Sequence, residues 1–139
     1  MNFDDCTEKN QNKIVPINES GRKFTINNPN RRTISKIKVD GCLIDDEGER
    51  CDYLFEVDEP ITCAIYVELK GKDVPKAFSQ LIATIGYLKK RHNAAKKECY
   101  IVCSRVPKTG TGVQELREKM KKECKATLIV KTDQYEIEI

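Results

Sequence analysis

Tryptophan is absent from this chain of 139 residues, aromatic residues make up only 6%, and histidine occurs once, as His92. With so few rings, a dedicated single-strand RNA-binding module is not expected, since such modules stack bases on exposed aromatics. A single histidine leaves no zinc-ligand spacing, and no two of the seven cysteines form a C-x-x-C pair. It also leaves no H-N-H nuclease pattern and points to no serine–histidine–acid triad. His92 follows a basic helix end and is expected to be a solvated or capping residue. Gly110-Thr111-Gly112 is followed by no G-K-[ST], so it is not a phosphate loop. No apolar run approaches the roughly 20 residues that cross a bilayer. The acidic start, Met1-Asn2-Phe3-Asp4-Asp5, lacks the apolar stretch of a signal peptide. A cytoplasmic chain without membrane contact is therefore expected. Its seven cysteines are expected to be reduced thiols. Five of them (Cys42, Cys51, Cys63, Cys99 and Cys103) fall in apolar runs, where a thiol packs as a small core residue.

What is present fits one domain. Hydrophobic residues make up 39% and charged residues 34%, a globular rather than disordered composition. The net charge of +3 is unevenly spread: residues 31–60 carry nine acids and five bases, residues 61–97 two acids and eight bases. An acidic block followed by a basic one suits a metal centre beside a phosphate-binding surface, and equally suits an uneven solvated surface. Candidate phosphate contacts form two clusters. One is Lys72, Lys76, Lys89, Lys90, Arg91, Lys96 and Lys97; the other is Arg22, Lys23, Arg31, Arg32, Lys36 and Lys38.

Residues 1–31 are polar and interrupted by Pro16, Gly21 and Asn27-Asn28-Pro29-Asn30, and read as a loosely structured arm. The domain is assigned to residues 32–139. Strands are predicted over 33–44, 51–57 and 62–70. Val74, Ala77, Phe78, Leu81, Ile82, Ile85 and Leu88 then recur at helical spacing. Asp73 is the expected N-cap of that helix, with Pro75 in its first turn. A strand over 99–104, a helix over 113–124, a strand over 126–131 and an alternating tail complete the chain. The order βββ-α-β-α-β describes an α/β sandwich on a mixed sheet.

If the turn before the third strand centres on Pro60, residues whose numbers sum to 120 face each other. Val57, Phe55 and Tyr53 then oppose Cys63, Ile65 and Val67 on one apolar face. The same register sets Asp52 against Glu68, with Lys70 on the same face. Opposed like charges destabilise a sheet unless something neutralises them. A Mg²⁺ ion would do so and would bring phosphate chemistry with it. Lys70 would orient water or stabilise charge building on phosphate. A solvated cross-strand salt bridge, worth at most about 1 kcal/mol, is the plainer reading of the same residues.

Cys51-Asp52, then Val67-Glu68-Leu69-Lys70-Gly71, then a helix carrying Gln80, resembles the PD-(D/E)xK nuclease superfamily over about residues 33–104. The resemblance implies a restriction-endonuclease-like sandwich: a central mixed β-sheet with a hairpin carrying the acids, and flanking helices. It implies a resolvase-like or small stand-alone member. Asp52 and Glu68 would hold Mg²⁺ or Mn²⁺ together with the Leu69 carbonyl, Lys70 would assist the nucleophile, and Gln80 would position substrate or lysine. Such proteins usually carry another acid on an N-terminal helix, and Glu19 is the upstream candidate here. Cys51 stands where proline is usual. The implied function is DNA endonuclease, with DNA favoured over RNA, acting as a homodimer or within a larger complex. The alternative is a module that keeps the fold without catalysis and serves nucleic-acid binding or assembly.

Overall fold

The alternating runs on either side of Pro60 build the centre of the molecule. In a computed structural model, described for residues 2–45, 48–69, 73–105 and 110–139, β5 (Tyr53–Val57) and β6 (Cys63–Glu68) form an antiparallel pair. Their register sets Tyr53 opposite Val67, Phe55 opposite Ile65 and Val57 opposite Cys63, as the apolar pattern predicts. A one-residue slip would turn this apolar set to the other face, so burial fixes the pairing.

Around this pair stands a six-stranded sheet. The strand β1 (Thr7–Asn10) forms one edge and pairs with β4 (Ile34–Lys38), which pairs with β5. Beyond β6 run β7 (Lys96–Cys103) and β8 (Ala126–Thr132), both parallel to it, so the sheet is mixed. Parallel neighbours need crossovers. These are the helices α2 (Val74–Tyr87) and α3 (Gly110–Cys124). Asp73 caps α2 as expected, its side chain accepting from the Lys76 N–H at 3.0 Å, with Pro75 in the first turn. The helical stripe Val74, Ala77, Phe78, Leu81, Ile85 and Leu88 is buried against Leu54, Ala64, Tyr66, Cys99 and Ile101. Cutting back Leu81, which is wholly buried, removes part of that contact; Leu81→Ala is expected to lower stability in urea by about 2–5 kcal/mol.

The opposite face of the large sheet is covered by a second sheet of three strands. It contains β2 (Ile14–Glu19), β3 (Arg22–Asn27) and β9 (Gln134–Glu138), with β2 antiparallel and β9 parallel to β3. Val15, Ile17, Phe24 and Ile26 pack there on Phe55, Ile65, Val67, Tyr100 and Val102. The architecture is thus a helical layer, a mixed sheet and a small sheet. Among the described residues no helix is long and apolar enough to cross a membrane.

Three sequence expectations are corrected. Residues 1–31 are not a loose arm: they supply the short helix α1 (Phe3–Cys6), the edge strand β1 and two thirds of the small sheet. The strand expected over 33–44 stops at Lys38, because Asp40-Gly41 turns the chain, with Gly41 at φ +79°. Val39, Leu43 and Ile44 are still buried, but in a turn. Finally, Cys6 and Cys42 are joined in a disulfide rather than held as thiols. The other five cysteines are free.

Candidate active site

Asp52 and Glu68 lie just where β5 begins and β6 ends, and both are buried at 2% exposure. Each carboxylate grips the other residue's strand. Glu68 Oε1 accepts the Asp52 N–H at 3.0 Å, and Asp52 Oδ2 accepts the Leu69 N–H at 2.8 Å. Two main-chain donors at the frayed end of the ladder are thereby satisfied, which a buried backbone requires. The acids are therefore a reciprocal clamp as well as neighbours. Leu69 itself is wholly buried on the small-sheet side.

The clamp is braced from both sides. The Cys51 N–H donates to Thr84 Oγ1 on α2 at 2.8 Å, and that hydroxyl donates to the Gln80 carbonyl at 2.9 Å. Burial pushes the Cys51 thiol well above its ordinary range, so it is an inert core group there. From the other side, the Asp52 carbonyl accepts the Val39 N–H at 3.0 Å and the Asp40 N–H at 3.4 Å. Thr84→Val would leave the buried Cys51 N–H unpaired, and thermal denaturation is expected to report a loss of about 1–3 kcal/mol.

Beside the clamp is a recess lined by Asp40, Gly48, Glu49, Arg50, Lys76 and Gln80. Gln80 lines this recess, one helical turn before Thr84. Asp40 and Arg50 were not foreseen: Arg50 Nε donates to Asp40 Oδ1 at 2.9 Å, and its Nη1 donates to the Gly48 carbonyl at 2.5 Å. Their signal was present in the Asp-Gly turn and in the base immediately before Cys51-Asp52. Glu19 closes β2 at the hairpin opposite Arg22, on a strand rather than a helix. Lys70, the expected catalytic lysine, lies outside the described residues.

Two carboxylates and a main-chain carbonyl are hard oxygen donors, the kind Mg²⁺ takes alongside several waters. The donor chemistry at Asp52 and Glu68 therefore fits a divalent ion. Among the described residues no three His, Cys, Asp or Glu side chains gather into a metal-holding group.

A second polar cluster sits apart from the clamp. Glu56, 3% exposed, accepts Arg91 Nε at 2.6 Å and Nη2 at 2.8 Å, and lies 2.6 Å from His92 Nε2. His92 Nδ1 is 2.5 Å from the Tyr66 hydroxyl. A carboxylate only accepts, so His92 Nε2 carries a proton toward Glu56. The expectation of a solvated or capping His92 is corrected: it is wholly buried. Its signal was Glu56 itself, a charge set among apolar residues in Tyr-Leu-Phe-Glu-Val, which needed a buried partner.

The basic clusters are also altered by the fold. Arg91 is committed to Glu56, Arg32 makes a two-pronged pair with Asp58, Lys36 meets Glu8 and Lys96 meets Glu98. These cations carry less charge outward than their number suggests. Lys76 remains at the recess beside Gln80. No protein-family model matches the chain, and no curated protein or solved structure is significantly similar to it, so its functional reading rests on the geometry of the Asp52–Glu68 clamp.

Proposed function

We propose that the chain is a metal-dependent nuclease of the PD-(D/E)xK type with a restriction-endonuclease-like fold, hydrolysing phosphodiester bonds in DNA. The observation that carries the proposal is the pair of buried carboxylates, Asp52 and Glu68, interlocked across two adjacent strand ends. Carboxylate oxygens on adjacent strand ends are the hard donors that a divalent cation takes. Asp52, Glu68 and the Leu69 carbonyl would hold Mg²⁺ or Mn²⁺. A bound ion of this kind supplies charge for a phosphoryl oxygen and acidifies water. Lys70 follows Glu68 by two residues, orienting the attacking water and countering charge on the phosphate. Gln80 positions the substrate or that lysine, and Lys76 faces the phosphate from the same recess. Glu19 is the remaining acid proposed to complete the set. The proposed setting is DNA processing, defence or mobile-element biology in the cytoplasm, with a homodimer or a larger complex supplying target choice.

A second reading has its own support: each carboxylate is occupied with a main-chain N–H, which is structural work a non-catalytic module would also need. Cleavage of plasmid DNA and of RNA, titrated with Mg²⁺ and Mn²⁺, separates the two. Wild type is expected to nick DNA only with metal, to stop on chelation, and to lose activity as Lys70→Ala. Wild type that cuts neither polymer at any metal concentration supports the binding or assembly module.

A further inference from the structure

The disulfide joins α1 to the 39–44 turn, just beyond the Thr7–Ile37 pair that ends the β1–β4 ladder. No residue of α1 is fully buried; Phe3 and Cys6 pack half-buried on the core, and the Arg91 guanidinium lies 3.7 Å from the centre of the Phe3 ring. Cys42 sits in the 39–44 turn, which closes on itself through the Leu43 N–H to the Lys38 carbonyl and the Ile44 N–H to the Val39 carbonyl. That turn is the one whose Val39 and Asp40 N–H groups hold the Asp52 carbonyl, and whose Asp40 side chain holds Arg50. Only Gly41 separates Cys42 from Asp40. The bond therefore reaches the candidate site through one short, continuous path.

The remaining thiols are unsuited to redox work. Burial raises Cys51, Cys99, Cys103 and Cys124, and holds Cys63 up at about 12, its neighbour Glu98 adding to the effect. Thiolate is the reactive form, so these five resist oxidation and exchange. Cys6 and Cys42 are only half-buried and lie at the surface.

We infer that the Cys6–Cys42 disulfide is a redox latch, which while closed holds the 39–44 turn, and through it the main chain of Asp52, in the arrangement the site requires. Its bearing on activity rests on the nuclease reading above. A dithiol reductant opens the latch in two exchanges. One reductant thiolate attacks a sulfur of the bond and expels the other cysteine as thiolate, leaving a mixed disulfide. The second reductant thiol then displaces the first cysteine. The reductant leaves as its cyclic disulfide, and the two electrons and two protons it gives up reside on Cys6 and Cys42 as thiols.

Alkylation in denaturant tests the bond itself: five groups are expected on the untreated chain, against seven after reduction. Seven in both states would overturn the latch. Amide hydrogen exchange on the full chain then tests the coupling, with and without dithiothreitol, and with Cys42→Ser as a permanently open form. Exchange at Val39, Asp40, Leu43 and Ile44 is expected to rise about tenfold or more on opening, while Cys99–Val102 in the central sheet keep their protection. Equal exchange at the turn in both states, or protection lost everywhere together, would overturn the latch. Mg²⁺ titration of both forms adds the functional arm, with weaker binding expected once the latch is open. If neither form binds Mg²⁺, the nuclease reading fails, and the exchange data still decide the latch.

Discussion

Replacing Glu56 by Gln is expected to lower stability at pH 7 by about 3 kcal/mol and to flatten the acid limb of the stability curve. Burial of Glu56 favours its neutral form, but the hydrogen bonds and charge of Arg91 and His92 outweigh it and bring its pKa from the ordinary 4.5 down to about 2. The folded pKa thus lies below the unfolded one. The stabilisation is complete above about pH 4.5 and is lost as the pH falls toward about 2. Urea denaturation at pH 7, 4.5, 3 and 2 should show wild type losing this increment across the lower part of that range. The Gln variant should start lower and lose less. Parallel curves for the two proteins would mean that the ion pair does not set the acid limb.

At the clamp, charge and hydrogen bonding can be separated by two substitutions at one position. Asp52→Asn keeps an oxygen that accepts the Leu69 N–H but removes the charge. Asp52→Ala removes both and leaves a buried donor without its partner. Under the proposed function, both are expected to reduce DNA cleavage by about 10²–10³-fold or more, the scale seen when a charge-stabilising group is removed from an active site. Stability should divide them: Ala is expected to cost about 1–3 kcal/mol, and Asn clearly less. If Asn instead retains full activity, the carboxylate's role is confined to holding the Leu69 main chain.

The parts of this fold that the sequence reveals are those written in hydrophobic spacing. The β5–β6 register followed from apolar alternation, and α2 from its stripe and from Asp73 at its cap. Asp52 and Glu68 could be placed together because the register alone carried them there. What was missed had no local signal. Thr7–Asn10 is polar throughout and becomes a strand only because β4 offers it an edge. The parallel pairing of β3 with β9 joins the two ends of the chain, and neither end announces the other. The Cys6–Cys42 bond spans 36 residues, and Cys6 stands in an acidic, non-apolar stretch with no metal-like or redox-motif spacing. Asp40-Gly41 was legible as a turn but was outweighed by the β-branched residues before it. The Glu56–His92–Tyr66 cluster depends on three separate segments meeting, which no periodicity encodes.

The most direct test of the central claim is calorimetric titration of Mn²⁺ and Mg²⁺ into the wild-type chain and into Glu68→Gln. If Asp52 and Glu68 form a metal-holding pair, wild type binds the ion and gains thermal stability with it, by about 2.7 kcal/mol at a concentration 100 times Kd. Glu68→Gln, which keeps an oxygen to accept the Asp52 N–H, should lose both the binding heat and the shift. Binding that is absent in wild type, or undiminished in Glu68→Gln, would contradict the account.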